Sequence, residues 1–172
     1  MTRIAILGAA GRMGRTLIRL IAADDDLALA GATARAGSDA EGINAGALAG
    51  CGSLETTVTA SASVAIAGAD VAIDFTLPAA LSDNLAAATA AGCPLVIGTT
   101  GIDTDGIDAI DTAAISIPVV YAANYSSGIT LLQRLVRTAA AALDSDYDVE
   151  IVEAHHRHKR DAPSGTARAL GE

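Results

Sequence analysis

Ile4-Ala-Ile-Leu-Gly-Ala-Ala-Gly-Arg-Met-Gly14 decides the fold: a short apolar run breaks into three glycines, Gly8, Gly11 and Gly14, and helical periodicity follows. The apolar run reads as a strand over Ile4–Leu7 that ends in a tight turn, and the residues after it as a helix over Arg12–Ala23. Glycines at such a junction let the backbone bend sharply and let a pyrophosphate approach the N–H groups at the helix start. This is the context of a dinucleotide fingerprint, although the spacing is GxxGxxG rather than GxGxxG. A ligand-free α/β domain with a tight turn uses the same glycines, so the stretch alone leaves both readings open.

Working outward, short β-branched or apolar runs recur at Leu27–Thr33, Val71–Phe75, Leu95–Ile97 and Val119–Tyr121. Helix-like stretches separate them: Pro78–Ala91, 103–114, and a long one over Ser127–Leu143. Pro78 suits a first helical turn, where its missing N–H costs little. Strand and helix in alternation predict an α/β fold with a parallel sheet and helices on both faces. Between Gly37 and Gly52 small residues give no clear period, which predicts a loop with about one helical turn. Beyond the acidic turn 144–148, Val149–Ala154 alternates like a strand and predicts the start of a second sheet.

Composition agrees with a sheet covered on both sides: 51% of the 172 residues are hydrophobic but only 2% are aromatic, so Ala, Val, Ile and Leu must build the core. A formal net charge of -9 excludes the cationic surface that nucleic acid or an anionic membrane requires, and points to a small-molecule ligand. Cys51 and Cys93 stand in no metal-ligand spacing and read as packed, reduced thiols. The chain enters a strand at Arg3 without a signal-peptide pattern, and alanine-rich runs such as Leu85–Ala91 are too short to span a bilayer. A soluble, cytoplasmic protein is expected.

About 20 residues past the glycines, NAD-binding versions of such a sheet place an acidic side chain on the ribose. Here the position reads Ala34-Arg35. No carboxylate repels a 2′-phosphate, and Arg35 can pair with one, so NADPH is favoured over NADH, which stays possible. Arg35 as a plain solvated surface residue is the competing account.

All three histidines of the chain, His155, His156 and His158, lie together, beside its sole lysine, Lys159, in a chain with ten arginines. A lysine where every other cation is arginine suggests a proton that must leave, which guanidinium resists. Lys159 and a neighbouring histidine are therefore candidate proton donors. Downstream, Pro163-Ser-Gly-Thr166 reads as a helix start with Ser164 as N-cap, and Arg157, Lys159 and Arg160 add positive charge suited to an anionic substrate. A zinc site built on Glu153 and the histidines, and an inert polar loop, are the alternatives; the adjacent cations oppose a metal ion.

Taken together, Glu153-Ala-His-His-Arg-His-Lys159, Asp161-Ala-Pro-Ser-Gly-Thr166, Gly8–Gly14, Asp74-Phe-Thr76, Gly98-Thr-Thr-Gly101 and Ala122-Ala-Asn124 closely resemble the 4-hydroxy-tetrahydrodipicolinate reductase family of lysine and diaminopimelate biosynthesis. The resemblance runs through the whole chain. It implies a Rossmann-like dinucleotide-binding domain over residues 1–126 and the start of an α+β substrate-binding and tetramerisation domain over 127–172. It implies that His155 and Lys159 donate protons, and that His156, Gly165 and Thr166 hold a cyclic dicarboxylate. Gly8, Ala9, Ala10, Gly11, Arg12 and Met13 would cradle the pyrophosphate, Arg35 the 2′-phosphate, and Gly98, Thr99, Thr100, Ala122, Ala123, Asn124 and Tyr125 the nicotinamide. The reaction implied is hydride transfer from NAD(P)H with loss of water, giving tetrahydrodipicolinate, in a homotetramer and with no metal.

Two features depart from that pattern. Family members that use NADH well carry an acidic residue where this chain has Ala34, and family members continue well beyond residue 172. The chain stops within the helical pattern Thr166–Glu172, which is expected of a C-terminally truncated fragment. The rival readings are a short-chain dehydrogenase, whose Tyr-x-x-x-Lys pair is absent because Tyr121 is followed four residues on by Tyr125, a non-catalytic NADP-binding module, and an inactive fragment.

Overall fold

The computed structural model describes residues 1–143, 146–155, 157 and 162–171. They form two compact units, Met1–Tyr121 and Ala122–Glu172.

In the first unit six strands alternate with helices. Strand β1 (Thr2–Leu7) leads to α1 (Arg12–Ala22), β2 (Leu27–Thr33), α2 (Ala45–Ala49), β3 (Val58–Thr59), α3 (Ala62–Ile66) and β4 (Val71–Asp74). A 3-10 turn at Pro78–Ala80 opens α4 (Leu81–Ala91), followed by β5 (Leu95–Ile97), α5 (Thr104–Ala114) and β6 (Val119–Tyr121). The strands pair in the order β3-β2-β1-β4-β5-β6, and every pairing is parallel. After β3 the order jumps from one side of β1 to the other, which opens a crevice at the carboxyl ends of β1 and β4.

Alternation along β1 explains why both faces are covered. Ala5 and Leu7 join a core with Ile66, Ala72, Leu85, Leu95, Ile97 and Ile110 beneath α3, α4 and α5. Ile4 and Ile6 point to the opposite core, with Ile18 and Ile21 of α1, Ala45 of α2 and Val58. A strand buried on both faces reads as a continuous apolar run, as this one does. Helix α1 turns Gly14, Ile18 and Ile21 inward, a spacing of four and three residues that marks one helical face. Its outer arginines tie down α2: Arg15 Nη1 donates to the Leu48 carbonyl at 2.9 Å and Arg19 Nη1 to that of Ala49 at 3.0 Å, satisfying carbonyls of the last helical turn.

The expected strands and helices of this unit stand where the periodicity placed them. The expected loop at Gly37–Gly52 carries α2, started by Asn44, whose Oδ1 accepts from the N–H groups of Gly46 and Ala47 at 3.1 and 3.2 Å. Both thiols are free, Cys93 is buried in the core, and burial pushes its pKa up, which keeps it an inert thiol.

The second unit contains α6 (Ser127–Ala142) and α7 (Gly165–Gly171). Ser126 caps α6, accepting from the Ile129 N–H at 3.4 Å. The expected strand at Val149–Ala154 is corrected: these residues form no strand, and Val149 and Val152 are 69% and 94% exposed. Alternation prepares a segment for pairing, but a strand exists only where a neighbour completes its ladder, and no described residue does so here. No helix among the described residues is long and apolar enough to cross a membrane.

Candidate functional site

At the carboxyl ends of β1, β2 and β4 lies a cavity of about 750 Å³, entirely within the first unit and bounded by Gly8, Gly11, Arg35, Ser61, Phe75 and Asn84 among others. The turn below it is shaped by glycine. Gly8 has φ +90°, and a Cβ there would sit 2.8 Å from the Phe75 carbonyl oxygen. At Gly14 a Cβ would run into the backbone of Gly8 and Ala9, so α1 can press against the turn only without a side chain. The Ala9 N–H donates to the Thr33 carbonyl at 2.7 Å and the Gly11 N–H to that of Gly8 at 3.0 Å, which fixes the bend. Gly11 caps α1 without a side chain. The first-turn N–H groups, including those of Arg12 and Met13, thus meet no capping oxygen, the arrangement that receives an anion.

Ala34 and Arg35 follow β2 directly. Ala34 is buried and lines the cavity with the exposed Arg35. No described residue pairs with the Arg35 guanidinium, which leaves its five donors for a ligand.

Sequence reasoning assigned Thr99 to the nicotinamide pocket, quoted Asp74 only as part of a motif, and missed Asn84. Asp74 ends β4 and is 0% exposed. Its Oδ1 accepts from the Thr76 N–H at 2.8 Å, the Thr76 hydroxyl at 2.6 Å and the Thr99 hydroxyl at 3.2 Å, while Oδ2 accepts from Asn84 Nδ2 at 2.9 Å. Next to it the ring of Phe75 lies so close over Gly98 that a Cβ there would overlap it, and the Gly98 N–H donates to the Asp74 carbonyl at 2.8 Å. Gly98, Thr99 and Thr100 follow β5. An acidic residue closing an apolar run, Val71-Ala-Ile-Asp74, was the available signal, since a carboxylate is seldom buried without partners.

In the second unit Ala122, Ala123, Asn124 and Tyr125 precede α6, and Asn124 Oδ1 accepts from the Ser126 N–H at 2.9 Å. Ser164 is 3% exposed and caps α7 as expected, its Oγ accepting from the Ala167 N–H at 3.0 Å. Gly165 and Thr166 form the first residues of that helix. Glu153 joins the two ends of the segment: Oε1 accepts the Ser164 N–H at 2.8 Å and Oε2 stands 3.4 Å from His155 Nδ1. A carboxylate beside Nδ1 selects the imidazole tautomer and leaves Nε2 for chemistry. His156 and Lys159 lie outside the described residues.

Comparison with known proteins covers both units. The family model "Dihydrodipicolinate reductase, N-terminus" matches residues 2–125, and "Dihydrodipicolinate reductase, C-terminus" matches residues 128–172. The 4-hydroxy-tetrahydrodipicolinate reductase of Alkalilimnicola ehrlichii is 53% identical over 171 residues, which cover 99% of this chain and 64% of the relative. The protein of the same name from Thiobacillus denitrificans is 51% identical, with 99% and 63% covered. The chain therefore spans less than two thirds of the length of these curated relatives. Dipicolinate-bound dihydrodipicolinate reductase from Paenisporosarcina sp. TG-14 has a TM-score of 0.73 at 27% identity, over 99% of this chain and 64% of that one. With both family models matched in sequence order and the glycine turn and sheet order in place, the chain belongs to the dihydrodipicolinate reductase family.

Proposed function

We propose that the chain is the cofactor-binding part, and the beginning of the substrate-binding part, of a 4-hydroxy-tetrahydrodipicolinate reductase that uses NADPH in preference to NADH. One observation carries the cofactor assignment: a glycine turn that no Cβ fits, beneath a helix start with no side-chain cap, opening into a cavity of about 750 Å³. Gly8, Ala9, Ala10, Gly11, Arg12 and Met13 hold the pyrophosphate, Arg35 the 2′-phosphate, and Gly98, Thr99 and Thr100 the nicotinamide. Ala122, Ala123, Asn124 and Tyr125 have a cofactor role by family resemblance. The reduced nicotinamide, when bound, supplies the hydride.

The chain's own residues supply binding and protons. His155, held at Nδ1 by Glu153, and Lys159 donate protons as the substrate is reduced and water leaves, while His156, Gly165 and Thr166 hold the cyclic dicarboxylate. The relatives' names and the dipicolinate in the Paenisporosarcina structure support a substrate of that class. The full-length protein is proposed to be a cytoplasmic homotetramer.

The test is NADPH oxidation by the full-length protein with 4-hydroxy-tetrahydrodipicolinate, in the wild type and in the double variant His155→Ala/Lys159→Ala. Turnover should fall by at least about a thousandfold with cofactor affinity unchanged, the range for losing placed proton donors. Activity kept by the double variant sinks the proton-donor assignment, and cofactor binding without oxidation by the wild type favours a non-catalytic module.

A further inference from the structure

We propose that Asp74 is a positioning residue for the nicotinamide end of the cleft, acting through Thr99. This rests on the cofactor reading above, but none of the roles assigned there uses this carboxylate. Asp74 is wholly buried, and its four hydrogen bonds come from three different places: the turn after β4, helix α4, and the segment after β5. Burying a carboxylate is costly, and apolar residues of the same volume would serve stability as well or better. What a fully satisfied buried network does provide is a single arrangement of the elements it joins.

Two of the three elements joined here bound the cavity. Thr76 and Asn84 face the cavity, as does Phe75, the chain's sole phenylalanine. Thr99 is 2% exposed and is not among the residues that bound the cavity; its hydroxyl is engaged by the Asp74 carboxylate. With Asp74 holding Thr99 by its side chain and Gly98 by its carbonyl, Gly98–Thr100 is fixed against the Phe75 ring before any cofactor binds. Such preorganisation removes an ordering cost from binding.

Thr99→Val keeps the shape of the side chain and deletes one hydrogen bond, whereas Thr99→Ser keeps the bond. Affinities for NADPH and for 2′-phospho-ADP-ribose, which lacks only the nicotinamide, are measured by titration of each variant. Thr99→Val should bind NADPH about tenfold more weakly and the truncated ligand as the wild type does, because only the nicotinamide meets the loosened segment. Thr99→Ser should restore NADPH affinity. Asp74→Asn, where it folds, should act in the same direction as Thr99→Val, and equal NADPH affinity for it also counts against the proposal. If Thr99→Val weakens both ligands equally, or neither, the positioning role is overturned while the cofactor reading stands. A wild type that binds neither ligand overturns both.

Discussion

The two units hold their functional residues by opposite means. In Met1–Tyr121 the cleft is a property of backbone: strands buried on both faces end in a turn whose shape leaves no room for side chains at Gly8 and Gly14. In Ala122–Glu172 helix α6 buries no residue, and among the described residues His155 pairs with the side chain of Glu153, which also binds the Ser164 N–H. The first arrangement should resist changes of side-chain chemistry and fail on added volume. The second should show the reverse.

Glycine substitutions test that contrast most severely. In Gly14→Ala one methyl group meets the backbone of Gly8 and Ala9, which cannot move without opening the turn. We expect a loss of about 3 kcal/mol in the stability of the sheet unit and on the order of a hundredfold in NADPH affinity. Gly128→Ala, near the start of α6, meets only Ser126 Oγ at 3.7 Å and should be neutral or stabilising by about 0.5 kcal/mol. Thermal melts and cofactor titrations read both. Equal effects at the two glycines would break the comparison.

Removing chemistry without volume should hurt the second unit alone. Glu153→Gln keeps the size of the side chain but loses the charge beside His155 Nδ1 and presents an amide that can favour the wrong tautomer. In the full-length enzyme kcat should fall tenfold to about a hundredfold, with an unchanged Kd for NADPH. A kcat equal to that of the wild type would show that Glu153 does not act through His155.

The same contrast explains what could be read from the sequence. Most of the sheet was legible because a buried parallel strand must be apolar throughout and must end in turn residues, as Ile4–Leu7, Leu27–Thr33 and Leu95–Ile97 do. Strand β3 escaped notice because two residues, Val58 and Thr59, show no period. Val149–Ala154 misled for the complementary reason: its alternation is clear, but pairing depends on a neighbour the segment itself does not contain. The glycine turn and His155 stood out as residue types with few other uses. The Asp74, Asn84 and Thr99 network did not, since donors 10 and 25 residues away meet a carboxylate only once the sheet is assembled.

Within the first unit Arg35 is the exception, a ligand contact that depends on side-chain chemistry. Arg35→Ala should raise the Kd for NADPH about tenfold, the lower range for an exposed charge-assisted contact, and leave that for NADH nearly unchanged. An unchanged ratio of the two constants would remove the 2′-phosphate assignment and leave the glycine turn untouched.

The smallest effect is expected at the other end of the same sheet. Arg3 donates to Asp70 through its backbone N–H at 2.8 Å and through Nη2 at 2.9 Å, joining the start of β1 to the residue before β4, at the edge opposite the cleft. These hydrogen bonds hold the Asp70 carboxyl below its ordinary pKa of 3.8. A carboxyl with a depressed folded pKa contributes stability above its unfolded pKa and loses it as pH falls through the folded value. Arg3, whose pKa the pair raises, stays charged throughout and adds nothing to that window. Asp70→Asn should therefore melt slightly below the wild type at pH 7, and the gap should close as pH falls below about 3.8. Both groups are exposed, so the shift in Tm should be far smaller than that of Gly14→Ala, and raised salt should diminish it. NADPH affinity should not move, because the pair touches no wall of the cavity. A gap that persists at pH 2.5 would mean that Asp70 acts through its shape, and a change in NADPH affinity would mean that the cleft feels the far edge of the sheet, contrary to a site fixed by its local backbone.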